Sequence, residues 1–337
     1  MKIAIIGAGA IGSVVAAYLT KAGKDVALVG KPEHVEAINK NGLKVIGIRG
    51  DETFQVKAIE KLDQEYDLVI FTTKTQDLEA AYQHNCDFLE ECFCLTSQNG
   101  VQGDNILGVH FDKFKMYSSI VMFGATYVEP GTVTFNFEGD WILGRPYAPL
   151  DPKAHEIAEI LGSAFNIVPT ENIMGMKWVK LFVNFNNCIP AVVGKSMQET
   201  FADMDLCRLS IRLLKEGVDI VNKAKIELES LPNFPTDRIY GLTSMPEEQA
   251  AGIINQTLTK LSDEPLYGSI LQSIMRKKKS EIEFINGEVC ALARQMRQET
   301  PLNDRIVELV HEVERTGEFL EFDELKRKFN LIQVSAD

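Results

Sequence analysis

Up to about residue 170 the hydrophobic positions fall in short continuous runs alternating with stretches of helical period, and from Asn172 onward nearly every segment has helical period alone. The first run, Lys2-Ile3-Ala4-Ile5-Ile6, breaks directly into Gly7-Ala8-Gly9-Ala10-Ile11-Gly12. Val14, Val15, Ala17, Tyr18 and Leu19 follow at helical spacing, and Lys21-Ala22-Gly23 supplies a basic last turn and a glycine stop. The pattern predicts a strand, a glycine turn and a helix. Further strands are predicted at 25–29, 43–48, 53–58, 67–71 and 93–96, with a helix over 32–41. Residues 116–127, 132–137 and 141–144 alternate more like antiparallel strands and are expected to extend the same sheet. Asp151-Pro152 opens a helix that runs to Phe165, and Ile167 and Val168 make a last short strand. One helix is then predicted over 172–195, followed by helices at 206–224, 246–261, 269–275, 281–297, 303–314 and 323–329.

A chain of 337 residues, 45% apolar, suits two cores: an α/β doubly wound sheet over 1–170 and an all-helical domain over 171–337. The formal charge of −13 argues against a nucleic-acid partner, the run Arg276-Lys277-Lys278-Lys279 being local. No apolar run approaches the roughly 18 residues that span a bilayer, so no membrane partner is expected. The protein is read as cytoplasmic, with its six cysteines as thiols. His84, Cys86, Cys92 and Cys94 are close in sequence, but no CxxC knuckle is present; buried thiols are expected there rather than a metal.

The glycine turn narrows the chemistry. Gly7 permits the tight turn, Gly9 lets backbone amides approach a pyrophosphate, and Gly12 lets the helix pack on the strand, with phosphates at the positive helix end. The plain alternative is a βα turn without a ligand. At the end of the second strand a carboxylate would hold the ribose of NAD and a cation the 2′-phosphate of NADP. Gly30 and Lys31 stand there, which favours NADP unless Lys31 is merely solvated. Lys74 follows the strand at 67–71, at the sheet edge where ligands bind, and reaches cofactor or substrate or is a surface lysine. Asn99, before Gly100, marks a turn or bonds a ribose or a substrate carbonyl.

Hydride transfer from a nicotinamide to a carbonyl leaves an alkoxide, so the second domain must supply a proton donor and a carboxylate anchor. Lys180 and Asn184 share one face of a helix that Trp178, Leu181, Phe182 and Val183 make otherwise apolar. Burial would lower Lys180 toward the range of a general acid; Lys177 competes for the role, and a Lys180 that snorkels to the surface is the alternative. Downstream, Ser269 is a helix N-cap or a donor to a substrate carboxylate. Ser280 is a possible cap before Glu281, an acidic residue in the first turn of its helix.

Together these blocks resemble the ketopantoate reductase family, the 2-dehydropantoate 2-reductases. The likeness spans nearly the whole chain: GAGAIG at 7–12, TTKTQ at 72–76, QNG at 98–100, PGTV at 130–133, WVKLFVN at 178–184, SILQSI and SEIEFING within 269–287, and TPLND at 300–304. The resemblance implies an N-terminal Rossmann domain, a helical domain and an active site in the cleft between them. It implies catalytic roles for Lys180, as general acid, and Glu281, with Asn184 orienting or holding substrate and Ser269 near its carboxylate. Gly7, Ala8, Gly9, Ala10, Ile11, Gly12, Lys74 and Asn99 would face the cofactor, Asn99 also the substrate. Lys31 replaces a common arginine at the 2′-phosphate, keeping the charge without the bidentate fork. Two positions depart from the family: Cys188 and Leu266 stand where asparagines are usual, although Asn186 and Asn187 adjoin the first. Fewer amides would weaken recognition of a hydroxylated substrate.

The activity implied is NADPH-dependent reduction of 2-dehydropantoate to (R)-pantoate in pantothenate biosynthesis, with a homodimer a possible assembly. Two alternatives stand beside it. One keeps the chemistry on a bulkier or more apolar 2-keto acid; the other is a non-catalytic NADP-sensing protein, which has no need of a lysine and an asparagine on one helix face.

Overall fold

The computed structural model describes residues 1–332, which divide into two compact units at Met174/Gly175. In the first, β1 (Lys2–Ile6), α1 (Ala10–Lys21), β2 (Asp25–Val29) and α2 (Pro32–Asn41) follow the expected order. Next come β3 (Leu43–Gly47), β4 (Glu52–Phe54), β5 (Lys57–Ile59), β6 (Leu68–Phe71), α3 (Leu78–Asn85), β7 (Phe93–Thr96) and α4 (Gln102–Leu107). The unit closes with β8 (Met116–Val121), β9 (Gly124–Glu129), β10 (Thr132–Phe137), β11 (Trp141–Gly144), α5 (Pro152–Gly162) and β12 (Ile167–Pro169). Eight strands form one sheet in the order β12-β11-β8-β7-β6-β1-β2-β5, parallel throughout except where β11 meets β8. All of β6 and most of β1 is buried, as continuous apolar runs in a sheet covered on both faces require.

Two expectations about this sheet are corrected. Residues 53–58 are not one strand: β4 ends at Phe54, β5 begins at Lys57, and the two belong to different sheets. Residues 116–127 divide likewise. β8 continues the main sheet parallel to β7, whereas β9, together with β10 over the 132–137 expected in the main sheet, belongs to a separate four-stranded sheet, β4-β3-β10-β9. The cause lies in α1, whose residues from Gly12 to Leu19 are all buried. A helix apolar on every side needs two covers. The main sheet supplies one, and the small sheet sets Phe54 and Phe135 against Tyr18, with ring centroids 5.5 and 5.7 Å away.

The second unit is helical. α6 (Ile173–Asn184) leads into it and is followed by α7 (Cys188–Val193), α8 (Met197–Phe201), α9 (Met204–Lys223), α10 (Thr236–Ser244) and α11 (Glu247–Leu258). α12 (Ser269–Met275), α13 (Asn286–Gln295), α14 (Pro301–Thr316) and α15 (Phe322–Lys328) complete it; α13 and α14 pack on α9, which carries a long buried stripe, and α12 on α7. The single helix predicted over 172–195 is corrected to α6, a 3-10 turn at Phe185–Asn187, and α7. Pro190 explains the break: in a continuous helix its ring would meet the carbonyl four residues back, while in the first turn of a new helix its missing N–H costs nothing. The helix predicted over 281–297 is also divided, into a 3-10 turn at Ile282–Phe284 and α13, so Glu281 precedes the turn instead of sitting inside a helix. α8 and α10 lie outside the predicted helices. Among the described residues no helix is long and apolar enough to cross a membrane.

Candidate active site

The glycine turn is shaped by contacts on one side and open on the other. Gly7 has φ +122°, and a Cβ there would lie 2.6 Å from the Thr73 nitrogen. A Cβ on Gly12 would lie 2.1 Å from the Gly7 carbonyl oxygen, whereas one on Gly9 would meet nothing within 4 Å. The Gly7 and Ala8 N–H groups both donate to the Val29 carbonyl at 3.0 Å, and Gly9 N–H to Gly7. The first α1 bond to the N-cap runs from Ser13 N–H to Gly9, leaving the amides of Ala10, Ile11 and Gly12 as the orphan donors of a twelve-residue helix. That arrangement fits a pyrophosphate, with Gly9 leaving room for it. The donors are thus the second half of the predicted six residues, while Gly7 and Ala8 build the turn.

Around this turn, Lys31 is the exposed N-cap of α2 and makes no ion pair among the described residues. Lys74 is exposed at the N-cap of the 3-10 turn Thr75–Asp77 beyond β6, and Asn99 is half-buried beyond β7. Three residues not singled out from the sequence hold these loops. Thr72 donates its hydroxyl to the Gly7 carbonyl at 2.8 Å. Gln98 spans two strand ends, its amide donating to the carbonyls of Phe71 (2.8 Å) and Thr73 (2.9 Å). Both lie in blocks that the sequence marked, but only a fold reveals their reach. His34, 3% exposed, accepts the Gly131 N–H on Nδ1 at 2.8 Å, so its proton sits on Nε2, 3.2 Å from the Ser13 hydroxyl. Burial lowers its pKa. It ties the small sheet to the helix that opens on the glycine turn, and no local pattern announces it.

In the second unit α6 carries Lys177, Lys180 and Asn184. Lys177 is buried at 2% exposure, while Lys180 is partly buried; Val183 is 40% exposed, so the helix is not enclosed on every side. Burial pushes the Lys180 ammonium down to about 8; the Glu281 carboxylate opposes this and Lys177 adds to it. The chain therefore brings Lys180 and Glu281 into one electrostatic group across about a hundred residues of sequence. The amide of Asn184, half-buried, makes no side-chain hydrogen bond among the described residues. Ser269 is exposed and is the first residue of α12; Gly268, not Ser269, is the N-cap. Ser280 accepts the Ile282 N–H on its hydroxyl at 3.3 Å, ahead of the 3-10 turn.

Cys188 is fully buried, its thiol donating to the Phe185 carbonyl at 3.0 Å, and burial pushes it up to about 12. The position is packing, not a surface for substrate. All six cysteines are free, and Cys92 and Cys94 are buried. Among the described residues no three His, Cys, Asp or Glu side chains are grouped to hold a metal ion.

A family model described as ketopantoate reductase PanE/ApbA matches residues 3–148, and its C-terminal counterpart matches 172–314. The 2-dehydropantoate 2-reductase of Pyrococcus horikoshii is 32% identical over 326 residues, covering 94% of this chain and 99% of its own. Among solved structures, a PanE/ApbA family ketopantoate reductase from Ralstonia eutropha JMP134 has TM-score 0.79 at 23% identity, covering 94% of this chain and 99% of the other. A ternary complex of D-mandelate dehydrogenase with NADH and anilino(oxo)acetate has TM-score 0.79 at 24% identity, with the same coverage. These two structures share the fold.

Proposed function

The chain belongs to the ketopantoate reductase family of oxidoreductases, and from that premise we propose that it reduces 2-dehydropantoate to (R)-pantoate with NADPH. The observation that supports this most is Lys180, a lysine brought by burial to about 8 beside Glu281, with Asn184 one turn further on the same helix. A proton donor works best when its pKa lies near the working pH.

When bound, the nicotinamide supplies the hydride. Lys180, still protonated at neutral pH, gives its proton to the oxygen of the substrate carbonyl as charge develops there. Glu281 keeps the lysine charged until then, and burial ensures that the proton is not held too tightly. Asn184 offers a free amide to the same end of the substrate, and the Ser269 hydroxyl is the donor for its carboxylate. On the first unit, the amides of Ala10, Ile11 and Gly12 hold the pyrophosphate, Lys31 the 2′-phosphate, and Lys74 and Asn99 the remainder of the cofactor, with Asn99 also reaching the substrate.

One observation favours a second reading, a more apolar 2-keto acid: Leu266 is 38% exposed where the family usually has asparagine. Mixing protein, NADPH and 2-dehydropantoate and following the loss of NADPH absorbance separates the readings, with NADH and other 2-keto acids run in parallel. Rapid oxidation confined to NADPH and 2-dehydropantoate is the expected result. Turnover only with apolar 2-keto acids would replace the substrate, and tight NADPH binding without any turnover would point to a non-catalytic sensor.

A further inference from the structure

We propose that Asn187 binds the hydroxyl group at the far end of the substrate, supplying the amide that position 188 lacks. The inference rests on the reduction of 2-dehydropantoate proposed above. At 3.6 residues per turn, Asn184, four beyond Lys180 and the last residue of α6, lies within about 40° of its face. The 3-10 turn at Phe185–Asn187 extends this, because residues three apart eclipse in that geometry, which stacks Asn187 on Asn184. Lys180, Asn184 and Asn187 therefore form one polar stripe, and Cys188 is turned into the packed interior.

The surroundings of Asn187 are those of a binding group. Its side chain is half-buried and makes no hydrogen bond among the described residues. Its Oδ1 lies against Gly268, where a Cβ would approach to 2.4 Å, so only glycine leaves room for the amide beside Ser269. The preceding loop is fixed in place. Gln198 donates to the carbonyls of Ser262 and Glu264, both at 2.9 Å, and accepts the Leu266 N–H at 3.0 Å, while Met197 N–H donates to the Leu266 carbonyl at 2.8 Å. Leu266 and Tyr267 are thereby held partly exposed on the same loop. One amide beside an apolar rim suits a carbon that bears two methyl groups and a hydroxymethyl group, which is the side chain of 2-dehydropantoate.

The test compares 2-dehydropantoate with 3,3-dimethyl-2-oxobutanoate, which lacks only the hydroxyl, in the parent protein and in Asn187→Ala. The variant is expected to lose about tenfold or more in kcat/KM for 2-dehydropantoate, through KM, consistent with one hydrogen bond and its unpaired remainder. With the dimethyl acid its kcat/KM should stay within about twofold, which also shows that the variant is folded. Equal losses on both acids, or none on either, would overturn the role of Asn187 alone. No turnover of either acid by the parent protein would instead overturn the reductase reading and this inference with it.

Discussion

Thr72 and Gly7 are joined by a 2.8 Å hydrogen bond from the threonine hydroxyl to the glycine carbonyl, which locks the end of β6 against the turn leaving β1. Gly12 closes on the same pair: a Cβ there would lie 2.4 Å from Thr72 Oγ1 as well as 2.1 Å from the Gly7 oxygen. Thr72→Val keeps the shape and removes the bond, worth about 1 kcal/mol. NADPH affinity, read by quenching of protein fluorescence, is expected to fall by about threefold to tenfold. Gly12→Ala drives a methyl group into backbone and should cost about 1–3 kcal/mol of stability, seen as a lower Tm, besides weakening the cofactor further.

His34 makes a part of stability depend on pH. Burial holds its folded pKa below the ordinary 6.5, so the unfolded chain takes up this proton first as the pH falls. Its contribution is intact above about 6.5 and declines below it, by at most about 1.4 kcal/mol per pH unit. His34→Asn retains an acceptor for the Gly131 N–H and cannot be protonated. Thermal melts from pH 8 to pH 5 should show the variant losing less stability than the parent over the acid half of that range.

Restoring the family's usual residue at position 188 should not help catalysis. Cys188→Asn introduces an amide into a fully buried site, at a cost of about 1–3 kcal/mol where partners are lacking. Chemical denaturation should show that loss, with kcat/KM for 2-dehydropantoate no higher than in the parent.

The fold could be read furthest where the information is local. The strand, glycine turn and helix at the start, and the cap that Asp151 gives to α5 with its Ala154 N–H bond of 2.7 Å, are written in neighbouring residues. The second sheet is not, because β3 pairs with β10, Lys44 opposite Thr132, from close to ninety residues away, and only the two-sided burial of α1 calls for them. Pro190 did carry a local signal of the break after α6, which the strong helical period on either side outweighed. At the site, Lys180 stands out as a charge on an apolar helix, but its partner Glu281 is reached only through the folded second unit. Gln98 and His34 act through backbone groups of distant loops, for which no sequence spacing exists.

The direction of the Glu281 effect gives a prediction of its own. Its carboxylate raises the Lys180 pKa against the lowering by burial, so Glu281→Gln should move the lysine below about 8. A general acid is active while protonated, and the alkaline loss of activity should then begin at lower pH than in the parent.

Delivery of the proton by Lys180 is read from the pH dependence of kcat/KM in the parent and in Lys180→Ala, with NADPH affinity measured alongside. The parent rate should be level on the acid side and fall about tenfold per pH unit above about 8. The variant should lose about 100-fold or more, show no such limb, and bind NADPH nearly as the parent does. A variant within a few-fold of the parent, or one that keeps the limb near 8, would show that another group supplies the proton.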